Sequence, residues 1–201
     1  MATTLTFAQQ KGGAGKTTAL VQLAVALSGR GHSVALLDLD PQGSLARWAG
    51  LRGDAALPCT ASSDWKAAGD LRKLKREHDL VLVDCPGNAD ILLRATIRDS
   101  DLVISPCQPS AMDIWALAPV IEMAAKEKTP LHVLMNRVPP RGGAVEEMVA
   151  MIEAPVLGPR LGNRIAFATA FLAGKSAAEA QPRSKAAEDV AAFADAVEAL
   201  L

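Results

Sequence analysis

Apolar positions along the 201-residue chain fall into two kinds of run that alternate. Short, nearly continuous apolar stretches at 3–9, 33–38, 80–84, 102–106 and 131–136, with a further short one near 154–157, have the length of strands buried on both faces. Between them the apolar residues return every three to four positions, which predicts helices over 17–28, 64–77, 111–127, 144–152, 165–173 and 185–200. Such alternation predicts βα units around a parallel sheet, an α/β fold. The stretch with the clearest breaker chemistry, Pro139-Pro140-Arg141-Gly142-Gly143, follows a strand. A loop is therefore expected there on the carboxyl edge of the sheet, where open α/β sheets hold their ligands.

Composition narrows the class. Half of the residues are hydrophobic and 21% are charged, which excludes disorder, and the length suits a single domain spanning 1–201 that buries roughly 70% of its unfolded surface. Lys and Arg number 21 against 22 Asp and Glu, a net charge of −1, so a nucleic-acid partner would have to be held by a local patch. Cys59, Cys85 and Cys107 are far apart and form no CxxC pair, which speaks against a disulfide framework and a sequence-local metal site. No signal segment and no apolar run of about 18 residues is present, so a reducing cytoplasm is expected.

The strongest chemical signal is Gln10-Lys11-Gly12-Gly13-Ala14-Gly15-Lys16-Thr17-Thr18, placed between an expected strand and an expected helix. Glycines let backbone N–H groups turn inward on phosphate oxygens, and a helix start adds partial positive charge. Lys16 is placed to reach the β- and γ-phosphates and Thr17 to ligate Mg²⁺. The run Val34-Ala35-Leu36-Leu37-Asp38-Leu39-Asp40-Pro41-Gln42-Gly43 ends a strand in carboxylates at i and i+2, expected on one face; either also suits a cap on the following helix. Leu80-Val81-Leu82-Val83-Asp84 is an apolar strand ending in Asp, the Walker-B form that holds Mg²⁺.

The general phosphate-loop pattern has Gly where Gln10 stands and has no use for Lys11. With both changes the loop resembles the KGGxGKT form of the deviant Walker-A ATPases of ParA and MinD type, and 38–42 resembles their DxDPQ segment. The resemblance covers nearly the whole chain and implies a doubly wound, mostly parallel sheet flanked by helices, a P-loop NTPase of SIMIBI type. It implies ATP and Mg²⁺ as cofactors, with Gly12, Gly13, Ala14, Gly15, Lys16, Thr17 and Thr18 around the nucleotide. Lys11 would reach across a homodimer interface to the partner's phosphates, Asp40 would orient the attacking water, and Asp38 and Asp84 would stand at the metal. Gly87 falls in the segment that would sense the γ-phosphate, and 105–113 resembles the loop near the dimer interface. Asn136 resembles the residue that reads the adenine edge; a turn-initiating Asn is the alternative.

Within that family the branch is chosen by charge. MinD-like membrane cyclers end in a basic amphipathic helix, whereas residues 186–201 carry four acids and no base, so no membrane partner is expected. Iron–sulfur carriers need an interface cysteine, for which Cys107 is the candidate. Residues 155–185 hold Arg160, Arg164, Lys175, Arg183 and Lys185 against Glu179, a candidate strip for DNA without sequence preference. The chain thus resembles the short form of ParA, with no DNA-reading helix ahead of the loop. It implies a slow ATPase that dimerises with ATP, binds nucleoid DNA and responds to a ParB-like or cargo-bound protein. The cargo would be a plasmid, a chromosome region or a cytoplasmic protein cluster. A MinD-like cycler and a metabolic ligase resembling dethiobiotin synthetase are the alternatives.

Overall fold

The computed structural model describes residues 2–87, 90–140 and 144–201. In chain order the elements are β1 (Thr3–Phe7), α1 (Lys16–Gly29), β2 (Val34–Asp38), α2 (Ser44–Arg52), β3 (Cys59–Ala61), α3 (Asp64–Glu77), β4 (Leu80–Asp84) and α4 (Asp90–Arg98). They continue as β5 (Leu102–Cys107), α5 (Ala111–Trp115), α6 (Ala118–Glu127), β6 (Leu131–Met135), α7 (Ala144–Ala150), α8 (Ile165–Leu172), α9 (Ala177–Ala180) and α10 (Lys185–Glu198).

All strand pairs are parallel, in the order β3-β2-β4-β1-β5-β6. The continuous apolar strands β2 and β4 are buried at every position because helices cover both faces. One face carries α1, α2, α8, α9 and α10 on a core that includes Phe7, Leu20, Trp48 and Phe193. The other carries α3 to α7 over Leu37, Val83, Leu93 and Val133. Helix α1 is apolar nearly all round and lies buried at the centre, while α10 turns Val190, Phe193 and Val197 into the same core.

Register sets up the edge that matters. Phe7 pairs with Asp84 and Asp38 pairs with Asp84, so the strands β1, β2 and β4 end level with one another. The phosphate loop, Asp40 and Asp84 therefore issue from one carboxyl edge, the place where doubly wound sheets bind ligands.

Three expectations change. The helix expected over 111–127 is two, α5 and α6, because Pro119 lacks an N–H and its ring would strike the carbonyl four residues back. The strand expected near 154–157 is a single bridge, Val133 to Val156, flanked by Pro155 and Pro159, which cannot donate to a ladder. The sixth strand is β3 instead, three partly exposed residues on the sheet edge with no apolar run to announce them. Of the Pro/Gly loop, residues 141–143 lie outside the described residues.

Candidate functional site

Between β1 and α1 the chain wraps a cleft of about 400 Å³ lined by Gly12, Gly13, Gly15, Lys16, Thr17 and Thr18, with Asp40 and Gly87 on the opposite wall. Gly15 caps α1 in the left-handed region at φ 93°, and a Cβ there would collide with the Asn136 side-chain amide. Gly87 brings the loop after β4 against the phosphate loop so closely that a Cβ would lie 2.7 Å from the Gln10 carbonyl oxygen. Gly87 thus packs directly on the start of the phosphate loop.

The floor of the cleft holds the charges. Lys16 is buried and its Nζ donates to the Gln9 carbonyl oxygen at 3.1 Å. Thr17 Oγ1 donates to Asp84 Oδ2 at 2.6 Å, while Asp84 Oδ1 is buried with no hydrogen-bond partner among the described residues. Burial pushes the Asp84 carboxyl up to about 7; the Thr17 hydrogen bond and the Lys16 charge pull it down, and Asp38 and Asp40 add to the rise. An orphaned, buried carboxylate oxygen beside a hydroxyl is a donor set that fits a hard divalent cation.

The two aspartates after β2 part company. Asp38 is the last residue of the strand and is buried; its Oδ1 accepts the Asp40 N–H at 3.1 Å and its Oδ2 the Ala46 N–H at 2.8 Å. It braces the turn and the first turn of α2, and burial raises its pKa. Asp40 lies past the strand end, where strand periodicity no longer holds, and lines the cleft with Oδ1 accepting the Gln42 N–H at 2.9 Å. Of the two carboxylates Asp40 lines the cleft and Asp38 is buried, and both add to the rise at Asp84.

Asn136 is also occupied. Its Nδ2 donates to the Ala14 carbonyl oxygen at 2.8 Å and its Oδ1 accepts the Arg137 N–H at 2.9 Å, so the amide ties β6 to the phosphate loop. A neighbouring cleft of about 310 Å³ runs from Gly15 and Asn136 past Arg137 to Asn163 and Phe167. Arg137 lines both clefts, in the left-handed region at φ 51°, a position sequence reasoning missed.

Lys11 behaves unlike Lys16. It is absent from the lining of its own cleft and its Nζ forms an ion pair with Asp113, a buried carboxylate that also accepts the Ser110 hydroxyl. Gln108 Nε2 donates to the Gly13 carbonyl oxygen at 2.8 Å, so the stretch 108–113 grips the phosphate loop twice. The stretch 105–113, expected near an interface, carries in Asp113 a buried acid that no local motif announces. Cys107 is buried, its thiol pushed up to about 12 mainly by desolvation, and it donates to the Gln108 carbonyl oxygen. It offers no surface ligand to a cluster.

With loop, cation corner and outward lysine in place, comparison with known proteins decides the family. The description of the CobQ/CobB/MinD/ParA nucleotide-binding domain matches residues 5–177. The chain belongs to that family. It is 32% identical over 198 residues to the maintenance of carboxysome distribution protein A of Halothiobacillus neapolitanus, covering 92% of this chain and 91% of that one. It is 30% identical over 187 residues to the protein ParA of Rhizobium radiobacter, covering 83% and 81%. In fold it is similar to the septum site-determining protein MinD of Pyrococcus horikoshii, in a complex with Mg-ADP, at a TM-score of 0.82 and 20% identity over 100% and 97% of the chains.

Three of the five cations of the strip are ion-paired in the folded chain. Arg160 pairs with Glu146 on α7 at 2.6 Å and Arg164 with Asp189 on α10 at 2.8 Å, while Lys185 pairs with Glu188 one turn on. Lys175 and Arg183 stay exposed, with no acid partner among the described residues. The acids of α10 are answered in the same way, Asp195 and Glu198 by Arg30 and Glu198 also by His32. The opposed charge blocks of the last third thus neutralise one another and their neighbours. Among the described residues no helix is long and apolar enough to cross a membrane.

Proposed function

We propose that this chain is a ParA-type, Mg²⁺-dependent ATPase that closes into a homodimer around ATP, holds DNA without sequence preference in that state, and positions a cargo. The observation that carries this reading is the disposition of the two loop lysines: Lys16 serves its own cleft, while Lys11 stands outside it. A lysine that lines no phosphate site of its own suits a site completed by a second copy. Bound Mg²⁺ would neutralise charge on the transferring phosphoryl group, with the Thr17 hydroxyl and Asp84 on its protein side. Lys16 and the backbone N–H groups of 12–17 would hold the phosphate chain. Asp40, on the opposite wall, would orient water by accepting its hydrogen bond. Full-length similarity to a carboxysome-distribution protein and to a ParA supports a positioning role driven by a cargo-bound protein. Of the strip residues, Lys175 and Arg183 remain the proposed DNA contacts.

The test is dimerisation. Light scattering of the wild-type chain with ATP and Mg²⁺ is expected to report a dimer, and Lys11→Ala is expected to stay monomeric while still binding nucleotide. An ATP-dependent dimer that survives Lys11→Ala would remove the shared-site reading.

A further inference from the structure

Helix α3 buries only Ala67, Leu71 and Leu74, which point into the core beside β4. At 100° per residue the arc opposite that stripe, roughly 120° wide, holds Trp65, Lys66, Gly69, Arg72, Lys73 and Arg76. All six are exposed, Trp65 at 81%. None of the four cations has an acid partner among the described residues, while the helix's own acids, Asp64, Asp70 and Glu77, flank the arc. Asp70 is held to the Ser62 hydroxyl at 2.6 Å, and the α3 cation that does pair, Lys75 with Asp101 at 3.6 Å, lies on the other flank.

This arrangement brings like charges together on one arc, although Arg76, in the last turn, also donates its Nε–H to the Arg72 carbonyl oxygen at 3.2 Å. Arg72 and Arg76 are like charges at i and i+4, an unfavourable pair worth about 0.2–0.5 kcal/mol. Arg30, Arg52, Arg94, Arg160 and Arg164 each end on a carboxylate, whereas α3 gathers four cations without an acid partner among the described residues on one face. Lys66 Nζ lies 4.6 Å above the Trp65 ring, which holds one cation in place on the rim of the arc.

We infer that the outward face of α3 is a polyanion-binding surface whose ligand is the phosphate backbone of duplex DNA. From Lys66 to Arg76 the helix rises about 15 Å, a length of duplex axis that carries roughly nine phosphates. Charge complementarity without acids in the arc suits backbone contact. An anionic membrane is the poorer fit, since the apolar stripe that would have to insert is already in the core and Trp65 stands alone. The inference rests on the DNA reading above and moves its main contact to a helix on the other face of the sheet from the strip.

Duplex retention by the ATP-loaded full chain, measured at several salt concentrations, tests it. Lys73→Glu/Arg76→Glu is expected to weaken retention at least about tenfold and to flatten the log–log salt slope by about two, with partner-free ATP turnover and thermal stability unchanged. Lys73→Gln/Arg76→Gln should fall between that variant and wild type. Lys175→Glu/Arg183→Glu, with the same change of charge, is expected to lose much less. Wild-type retention by the α3 variant overturns the inference and leaves the DNA reading standing. Failure of the wild-type chain itself to hold DNA overturns both. Capture of wild type by anionic phosphatidylserine vesicles but not by DNA, lost in the α3 variant, reassigns the face to a lipid surface.

Discussion

The phosphate loop and the segment 160–185 both gather positive charge, and Lys16 of the loop is disposed in the opposite way to three of the segment's five cations. In the loop, Lys16 is buried against a backbone carbonyl and pairs with no acid among the described residues, so its charge stays available at the cleft. In the segment, Arg160, Arg164 and Lys185 are each spent on a carboxylate from α7 or α10. Cationic charge left unanswered after folding marks a place where a ligand can supply the anion; charge already answered belongs to the scaffold. Lys11 stands between the two cases. Its acid, Asp113, is buried, but the lysine remains partly exposed, and in the proposed dimer it would trade that partner for a phosphate.

The sharpest way to break the loop's side of this contrast is Gly15→Ala. The position needs φ 93°, and the added methyl would meet the Asn136 amide that ties β6 to the loop. A strain of about 3 kcal/mol, if it falls wholly on the bound geometry, weakens nucleotide binding roughly a hundredfold. Calorimetric titration with ATP measures it. Unchanged affinity would mean that the loop adapts and that its charge is not aimed by this backbone.

Asp40→Ala asks less of the fold, because among the described residues this carboxylate is held by just the Gln42 N–H in its own turn. Phosphate release is expected to fall roughly a hundredfold while ATP binding and the dimer persist. Full turnover in a phosphate-release assay would take Asp40 out of the water-orienting role. The contrast with Asp38 is built in: replacing Asp38 would leave the Ala46 and Asp40 N–H groups without an acceptor, and the loss would appear as stability.

Legibility followed sequence distance. The loop 10–18, the strand ends at Asp38 and Asp84, and the helix over 64–77 were readable because their meaning is carried by residues within one or two turns of each other. The pairing habits were not. That Arg164 meets Asp189 and Arg52 meets Glu179 is decided by α10 and α9 folding back on α8 and α2, contacts spanning 25 and 127 residues of chain. Asn136 was readable as a site residue, but its actual partner, the Ala14 carbonyl 122 residues away, has no local signature. Strand β3 escaped because an edge strand of three half-exposed residues needs no apolar run. The α3 face was in plain view as a basic helix, yet only the burial of Ala67, Leu71 and Leu74 and the lack of acid partners distinguish its cations from ordinary solvated ones.

The smallest expected effect tests the scaffold half of the contrast. Arg164 makes two hydrogen bonds to Asp189, at 2.8 and 3.2 Å, and Asp189 also accepts the Gly162 N–H at 3.0 Å. Both side chains are partly exposed, so solvent screens the pair and its coupling should be no more than about 0.5–1 kcal/mol. Arg164→Ala, Asp189→Ala and the double variant, compared by urea unfolding, form the cycle that isolates this term. Arg164→Ala is expected to lower the Tm by a few degrees, on the order of 2–4 °C, and to leave the salt slope of DNA retention as it was. The asymmetry between the two readouts carries the argument. A scaffold cation loses stability through its acid and leaves DNA untouched, whereas a DNA cation does the reverse. Zero coupling to Asp189 together with a flattened salt slope would return Arg164 to the DNA surface and dissolve the distinction drawn between the segment and the loop.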